Sequence, residues 1–431
     1  MLIHKLLAFC ARRVIERFRP HVIAVTGSIG KTSTRNAIAA ALGTSYRVRV
    51  AKKNYNNELG VPLAILGEES PGKDIFGWIK IFIRALSCKD MPEYLVLEYG
   101  ADKPGDLAYL VTIARPEVVV ITGVSPVHVA NYPNFEALVE EKASLGDAVP
   151  DNGLVILNGD DQIVRFMKNR YHVPVQMYGL HNADITVRDI EVSTFPQHAD
   201  GSFDDGDMLC ALQGTVVLPE GEARLTFKDC ISSTLFSGVM AAFLVARHYG
   251  AELAVVAKTL EETMHPVPGR MNPLIGIKGS LILDDSYNAA PASVLAALST
   301  LGAFEPGEEW DRRIAVLGDM AELGDMSDEE HRSIGRVAAK SADLFVAVGP
   351  NMNKAAEEAV NVGGMQAGQV EWFATSVEAG RFLDRTVQKG DVVLVKGSQS
   401  MRMEKVVRDV MAHPEKATEL LVRQEEKWQQ T

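Results

Sequence analysis

The sequence predicts an α/β fold in two successive units, and three observations carry that expectation. The apolar run at residues 21–26 is followed by a glycine-bearing turn and a helical stretch from Lys31 toward Leu42. Further apolar runs at 94–97, 118–122 and 154–157 each end beside polar residues. After residues 266–269, whose two prolines and Gly269 make a hinge, the alternation starts again with runs at 281–284, 314–317, 344–348 and 392–395. Strand-length apolar runs separated by helix-length stretches are the pattern of sheets covered by helices.

A chain of 431 residues that is 47% hydrophobic can bury more than one core. The expected units are residues 1–19, an amphipathic helix; 20–265, a central phosphate-loop domain; 266–414, a second α/β domain; and 415–431, a charged peripheral tail. Within the first large unit, 137–148 reads as a helix that contains Lys142. Residues 183–229, with an Asp/Gly-rich turn at 202–207, read as an antiparallel β excursion before helices at 235–247 and 252–264.

A net charge of −12 argues against a broad nucleic-acid-binding surface, while leaving room for a basic phosphate pocket. Cys10, Cys88, Cys210 and Cys230 are too scattered for a zinc cluster and suit a reduced, cytoplasmic compartment. No apolar run reaches the roughly 18 residues of a spanning helix. Residues 2–19 interleave Leu2, Ile3, Leu6, Leu7, Phe9, Val14, Ile15 and Phe18 with Lys5, Arg12, Arg13, Arg17 and Arg19. The first reading is a helix packed on the next domain with a solvated basic face; the second is peripheral docking on the inner face of a membrane, or on a protein partner.

The strongest chemical signal is TGSIGKTST at 26–34, a turn between strand and helix whose backbone donors cradle phosphate. Gly27, Ser28, Gly30, Lys31, Thr32 and Ser33 are the nucleotide-binding candidates. Lys31 would neutralise terminal phosphate charge and Thr32 would turn a hydroxyl toward magnesium. Val25 stands where the ordinary loop has its first glycine. Asn158 sits at the end of another strand and joins the nucleotide candidates. Asn54 and Asn57 either orient hydrogen bonds in the site or support the turn before Gly60 and Pro62.

The loop without its first glycine, NYNNELGVP at 54–62, LEYGAD at 97–102, PGRM at 268–271, LDDSYNAAP at 283–291, GDMAELG at 318–324 with His331, and KGSQS at 396–400 follow one another in the order found in the Mur ligase superfamily. The chain closely resembles the MurF branch of that family from about residue 20 to 411. The resemblance implies a Rossmann-like C-terminal domain and an ATP- and Mg2+-dependent amide-bond ligase. It implies metal contacts from Thr32, Glu98, His128 and Lys142, the last as a carbamylated lysine. The catalytic set it implies is Lys31, Lys142, His128 and Arg270. Arg270 would also join Asp285 and Asn288 at the nucleotide, with Asp284 and Tyr287 stabilising the loop.

Lys396 and Ser398 could take a substrate carboxylate, or a solvated lysine and a turn serine would account for them. Asp319, Glu322 and His331 could meet the acceptor or serve only the loop. The implied reaction phosphorylates the terminal carboxylate of a UDP-linked muramoyl tripeptide, and the amine of D-alanyl-D-alanine then displaces phosphate. About 20 residues precede the first strand, too few for the family's nucleotide-sugar-binding domain. Altered donor capture is therefore expected. A ligase for another acidic peptide or cell-envelope precursor, and a nonenzymatic nucleotide-binding scaffold, are the alternatives.

Overall fold

A computed structural model describes residues 2–51, 55–126, 131–194, 208–307, 310–425 and 428. The first sheet has nine strands among these residues: β1 His21–Thr26, β2 Val48–Val50, β3 Tyr94–Glu98, β4 Val118–Ile121, β5 Leu154–Asn158, β6 Val175–Gly179, β7 Ile185–Thr194, β8 Cys210–Leu218 and β9 Gly221–Lys228. Their order is β2-β3-β1-β4-β5-β6-β7-β8-β9. Strands β2 to β7 pair in parallel, and β8 and β9 continue antiparallel. The β excursion thus extends the main sheet. Its Asp/Gly-rich turn lies outside the described residues.

The helices that cover this sheet follow from the two-residue period of its strands. Ile23, Val25, Val96, Val118 and Val120 face one core, shared with the helices Lys31–Gly43, Leu235–His248 and Leu253–Thr263. Val22, Ala24, Leu95, Leu97, Val119 and Ile121 face the other. In chain order the helices that matter below are α1 Leu2–Phe18, α2 Lys31–Gly43, α3 Gly60–Leu66, α4 Ile75–Leu86, α5 Asp106–Val111 and α6 Phe135–Asp147. Strands buried on both faces read as near-continuous apolar runs, which is why β1, β3, β4 and β5 were visible in the sequence.

The second sheet holds β10 Asn272–Ile275, β11 Leu281–Asp285, β12 Arg312–Gly318, β13 Leu344–Val348, β14 Val370–Phe373 and β15 Asp391–Lys396, in the order β10-β11-β15-β12-β13-β14. All its pairs are parallel except β10 with β11. Two registers prepare the site. Val25 lies opposite Glu98, and Asp285 opposite Lys396. Both pairs sit at carboxyl ends of parallel strands, where open α/β sheets place ligands.

Both chain ends pack against these domains. Helix α1 seats Leu7, Ala8, Ala11 and Val14 in the cores, which agrees with the first of its two readings. Part of the segment 415–431 is not peripheral. Leu421 joins the core beneath the second sheet, and the side chain of Arg423 is almost fully enclosed.

Candidate functional site

The phosphate loop is built so that only glycine fits its first turn. Gly27 has φ 146°, and a Cβ there would lie 2.1 Å from Thr122 Oγ1. Gly30, with φ 77°, opens α2 without any side-chain cap, so backbone N–H groups of the first turn stay available to an acceptor. The loop is pinned from the β4 end. Ser28 N–H donates to Gly123 O at 2.7 Å, Ser28 Oγ donates to Ser125 O at 2.9 Å, and Thr122 Oγ1 lies 2.5 Å from Ile29 O. Asn158 braces that strand end: its Nδ2 donates to Thr122 O, and its Oδ1 accepts from Asp160 N–H. Its amide therefore supports the loop from behind.

Two lysines from distant parts of the sequence converge on one carbonyl. Lys31 Nζ donates to Gly27 O at 2.8 Å, and buried Lys142, carried by α6, donates to the same oxygen at 3.3 Å. Neither has an ion-pair partner within 4 Å among the described residues. Burial lowers the pKa of Lys31, opposed by Glu98 and reinforced by Arg270. Burial, with Lys31 as a like-charged neighbour, pushes Lys142 down to about 7. Two cations desolvated side by side make a strong local demand for an anion.

The adjoining oxygen cluster centres on buried Glu98. Thr32 Oγ1 donates to Glu98 Oε2 at 3.0 Å, Arg35 Nη1 lies 3.6 Å from that oxygen, and Asn56 Nδ2 reaches Oε1 at 3.5 Å. Across the domain junction, Arg270 Nη2 reaches Thr32 Oγ1 at 3.4 Å while its guanidinium lies 4.3 Å from the centre of the Tyr287 ring. The hinge thus delivers a second-domain cation to the first turn of α2. Thr32 and Glu98 are hard oxygen donors of the type magnesium takes. Lys142, with its lowered pKa, has neutral amine available near neutral pH, the form that adds carbon dioxide. The residues present therefore fit both groups. Asn54 and His128 lie outside the described residues.

The ionisable side chains of the second-domain motifs are matched within the protein, although the buried Ser286 Oγ has no hydrogen-bond partner among the described residues. Asp285 accepts from Lys396 Nζ at 2.7 Å and from Met271 N–H at 3.2 Å; Lys396 also donates to Asn288 O. The carboxylate that Lys396 holds is thus the protein's own. Ser398 Oγ donates to Asp319 O, and Asp319 accepts from the Met352 and Asn351 N–H groups. His331 Nε2 accepts from Met320 N–H, and its Nδ1 is bonded to Ser327 O. Asp284 accepts from Gly269 and Ser286 N–H groups, with its pKa raised to about 6 by burial. Asn57 caps the start of α3 through the Gly60 N–H.

Sequence reasoning left out Arg35, Asn56, Thr122 and Arg423. Arg35 carried a readable signal: it lies four residues after Lys31, one helical turn on, in a stretch otherwise rich in alanine. Arg423 Nη1 donates to Ser286 O at 3.2 Å and to Glu404 at 3.0 Å, and its Nη2 donates to Tyr287 O. No local pattern placed it beside LDDSYNAAP.

Comparison with known proteins gives a consistent picture. Residues 25–213 match the Mur ligase middle domain, and residues 269–399 match the Mur ligase glutamate ligase domain. The UDP-N-acetylmuramoyl-tripeptide–D-alanyl-D-alanine ligase of Bacillus subtilis is 27% identical over 408 residues, covering 94% of this chain and 79% of its own length. That of Mycobacterium leprae is 31% identical over 404 residues, covering 88% and 71%. A crystal structure of MurF from Acinetobacter baumannii superimposes with a TM-score of 0.75 at 25% identity, over 94% of this chain and 79% of that one.

Proposed function

Since the chain belongs to the Mur ligase family and is an ATP-dependent ligase of that type, we propose that it joins D-alanyl-D-alanine to a UDP-N-acetylmuramoyl tripeptide. The observation that carries this reading is the convergence of Lys31 and Lys142 on Gly27 O, with Arg270 reaching Thr32 from the other domain. Such a set suits a phosphate site that the second domain helps to complete. The choice of substrates is supported by the names of the relatives and by the NYNNELGVP and LDDSYNAAP blocks.

In the proposed reaction a carboxylate oxygen of the donor attacks the terminal phosphorus of ATP and ADP departs. The acceptor amine then attacks the acyl carbon, loses a proton, and phosphate leaves with the bonding pair. Lys31 and the free N–H groups of α2 hold the transferring phosphoryl group, and Arg270 closes on it. Thr32 and Glu98 would hold magnesium with His128 and a carbamate on Lys142; bound magnesium neutralises phosphate charge as a Lewis acid. Closure of the two domains orients the carboxylate and keeps water from the acyl phosphate. No protein nucleophile is needed.

The test is ADP release with ATP, magnesium, donor tripeptide and D-alanyl-D-alanine, each omitted in turn, with mass detection of the joined peptide. Joined product only in the complete mixture supports the assignment. ADP release with no joined product over broad substrate concentrations would remove this donor–acceptor pair.

A further inference from the structure

The surface of the first domain carries an apolar stripe that the ligase site does not use. Helix α4, IFGWIKIFIRAL, buries Trp78, Ile81 and Ala85. Its opposite face is as apolar as its core face: Ile75, Phe76, Ile79, Ile83 and Leu86 are 47–76% exposed. Spacings of three and four residues align these five on one side of the helix. Leu7 of α1 packs with Trp78 and Ile81, so α1 lies alongside, and it exposes Ile3, Leu6 and Phe9. Singly scattered exposed apolar residues are ordinary, but eight on two contacting helices are not.

Charge identifies the occupant. Residues 1–19 hold five basic residues against Glu16 alone, and residues 73–89 hold Lys73, Lys80, Arg84 and Lys89 against Asp74 alone. These two segments therefore carry +7, and the rest of the chain −19, in a protein of net −12. Arg84 is paired with Glu68, but Lys5, Arg13, Arg17, Lys73, Lys80 and Lys89 form no ion pair within 4 Å among the described residues. An apolar stripe rimmed by cations, on an otherwise acidic molecule, suits an anionic bilayer surface. A second copy docked through the same face suits it less, since the two +7 patches would be set against each other while the two acidic bodies also repel.

We infer that α1 and α4 together form a docking face by which this protein binds anionic lipid surfaces, lying in the interface with Ile75, Phe76, Ile79, Ile83 and Leu86 among the acyl chains. Insertion across the bilayer is excluded for these two helices. No helix among the described residues is long and apolar enough to cross a membrane. Helix α4, at 12 residues, is about 18 Å long, against a hydrocarbon core of about 30 Å. This inference is independent of the substrate assignment.

The test is co-sedimentation of the full chain with vesicles of phosphatidylcholine alone and of phosphatidylcholine with phosphatidylglycerol. Binding to the anionic vesicles, at least tenfold weaker to the neutral ones and weakened by 1 M salt, where the Debye length is about 3 Å, is expected. The double variant Ile79→Asp, Ile83→Asp should lose at least tenfold in vesicle binding, with an unchanged circular dichroism melt because both side chains are already exposed. The double variant Lys73→Glu, Lys80→Glu, which leaves the apolar stripe intact, should lose binding to anionic vesicles. Equal binding of wild type and both variants, or no vesicle binding by a folded wild type, overturns the inference. So does a dimer by sedimentation velocity that Ile79→Asp, Ile83→Asp dissociates while vesicles are ignored, which makes the stripe a self-association face.

Discussion

The phosphate-loop corner of the first domain and the motif loops of the second are equally conspicuous in the sequence, yet their polar groups are left in opposite states. In the first, Lys31 and Lys142 bond only to carbonyls, and burial lowers the pKa of each. In the second, Lys396 is matched by Asp285, Asp319 takes the Asn351 and Met352 N–H groups from beyond β13, and both nitrogens of His331 are occupied. An unmatched buried charge is a site waiting for a counter-charge, whereas a fully matched one holds a loop in shape. On that contrast, chemistry is expected of the first corner and scaffolding of the second.

The largest effect should come from Lys31→Ala, which removes a cation of the phosphate loop. Turnover of ATP is expected to fall about a hundred- to a thousandfold, with no loss in the thermal melt because a desolvated charge is removed at the same time. A melt lowered as much as that of a core variant would place Lys31 among the scaffold residues. Next, Lys142→Ala should impair magnesium-dependent turnover more than folding. Intact mass and a crystal structure showing unmodified Lys142 in active enzyme would reject the carbamate.

The buried Lys142 should also make stability depend on pH. Its folded value of about 7 lies below the unfolded value of about 10.4. The penalty for burying the charged form is full below pH 7 and is relieved as pH rises from there toward the unfolded value. In buffer freed of carbon dioxide, wild-type stability should therefore rise with pH across that window. Lys142→Met should flatten this slope and gain most below pH 7, as read by denaturant midpoints. A parallel pair of pH curves would contradict the buried, unpaired lysine.

For the scaffold corner the sign reverses. Asp319→Ala orphans the Met352 N–H and His331→Leu orphans the Met320 N–H, each expected to cost about 1–3 kcal/mol of stability, while turnover per folded molecule stays near wild type. The smallest effect belongs to Arg423→Ala. Arg402 still pairs with Glu404, so the fold should hold, but Tyr287 loses the bond that steadies it under Arg270. The loss is about 1 kcal/mol, close to fivefold in kcat, with KM for ATP little changed and partial recovery in Arg423→Lys. A change confined to the melt would leave Arg423 a structural residue.

What the sequence made legible follows the same physics. Strands buried on both faces, such as β1, β4 and β13, announce themselves as apolar runs, whereas the half-buried edge strands β2 and β14 have no such signature. Helix α4 was missed because nine of its twelve residues are apolar, on its outward as well as its inward face, so the segment reads as an apolar run broken only by Gly77, Lys80 and Arg84. Lys31, Thr32, Glu98 and Lys142 were named from motifs, and the parallel register of β1 with β3 is what brings Glu98 to the loop. Lys396 could not be assigned from the sequence because its partner, Asp285, is 111 residues away and becomes adjacent only through the β11–β15 pairing. Arg423 is hidden for the same reason.

If the phosphate corner activates a carboxylate as an acyl phosphate, one carboxylate oxygen must leave with the phosphate, and its path can be followed. The donor tripeptide is prepared with heavy oxygen in its terminal carboxylate and turned over with ATP, magnesium and acceptor, and the phosphate released is examined by mass spectrometry. Transfer of one labelled carboxylate oxygen to inorganic phosphate, abolished in Lys31→Ala, is expected. Joined peptide formed with phosphate that carries no label would contradict it.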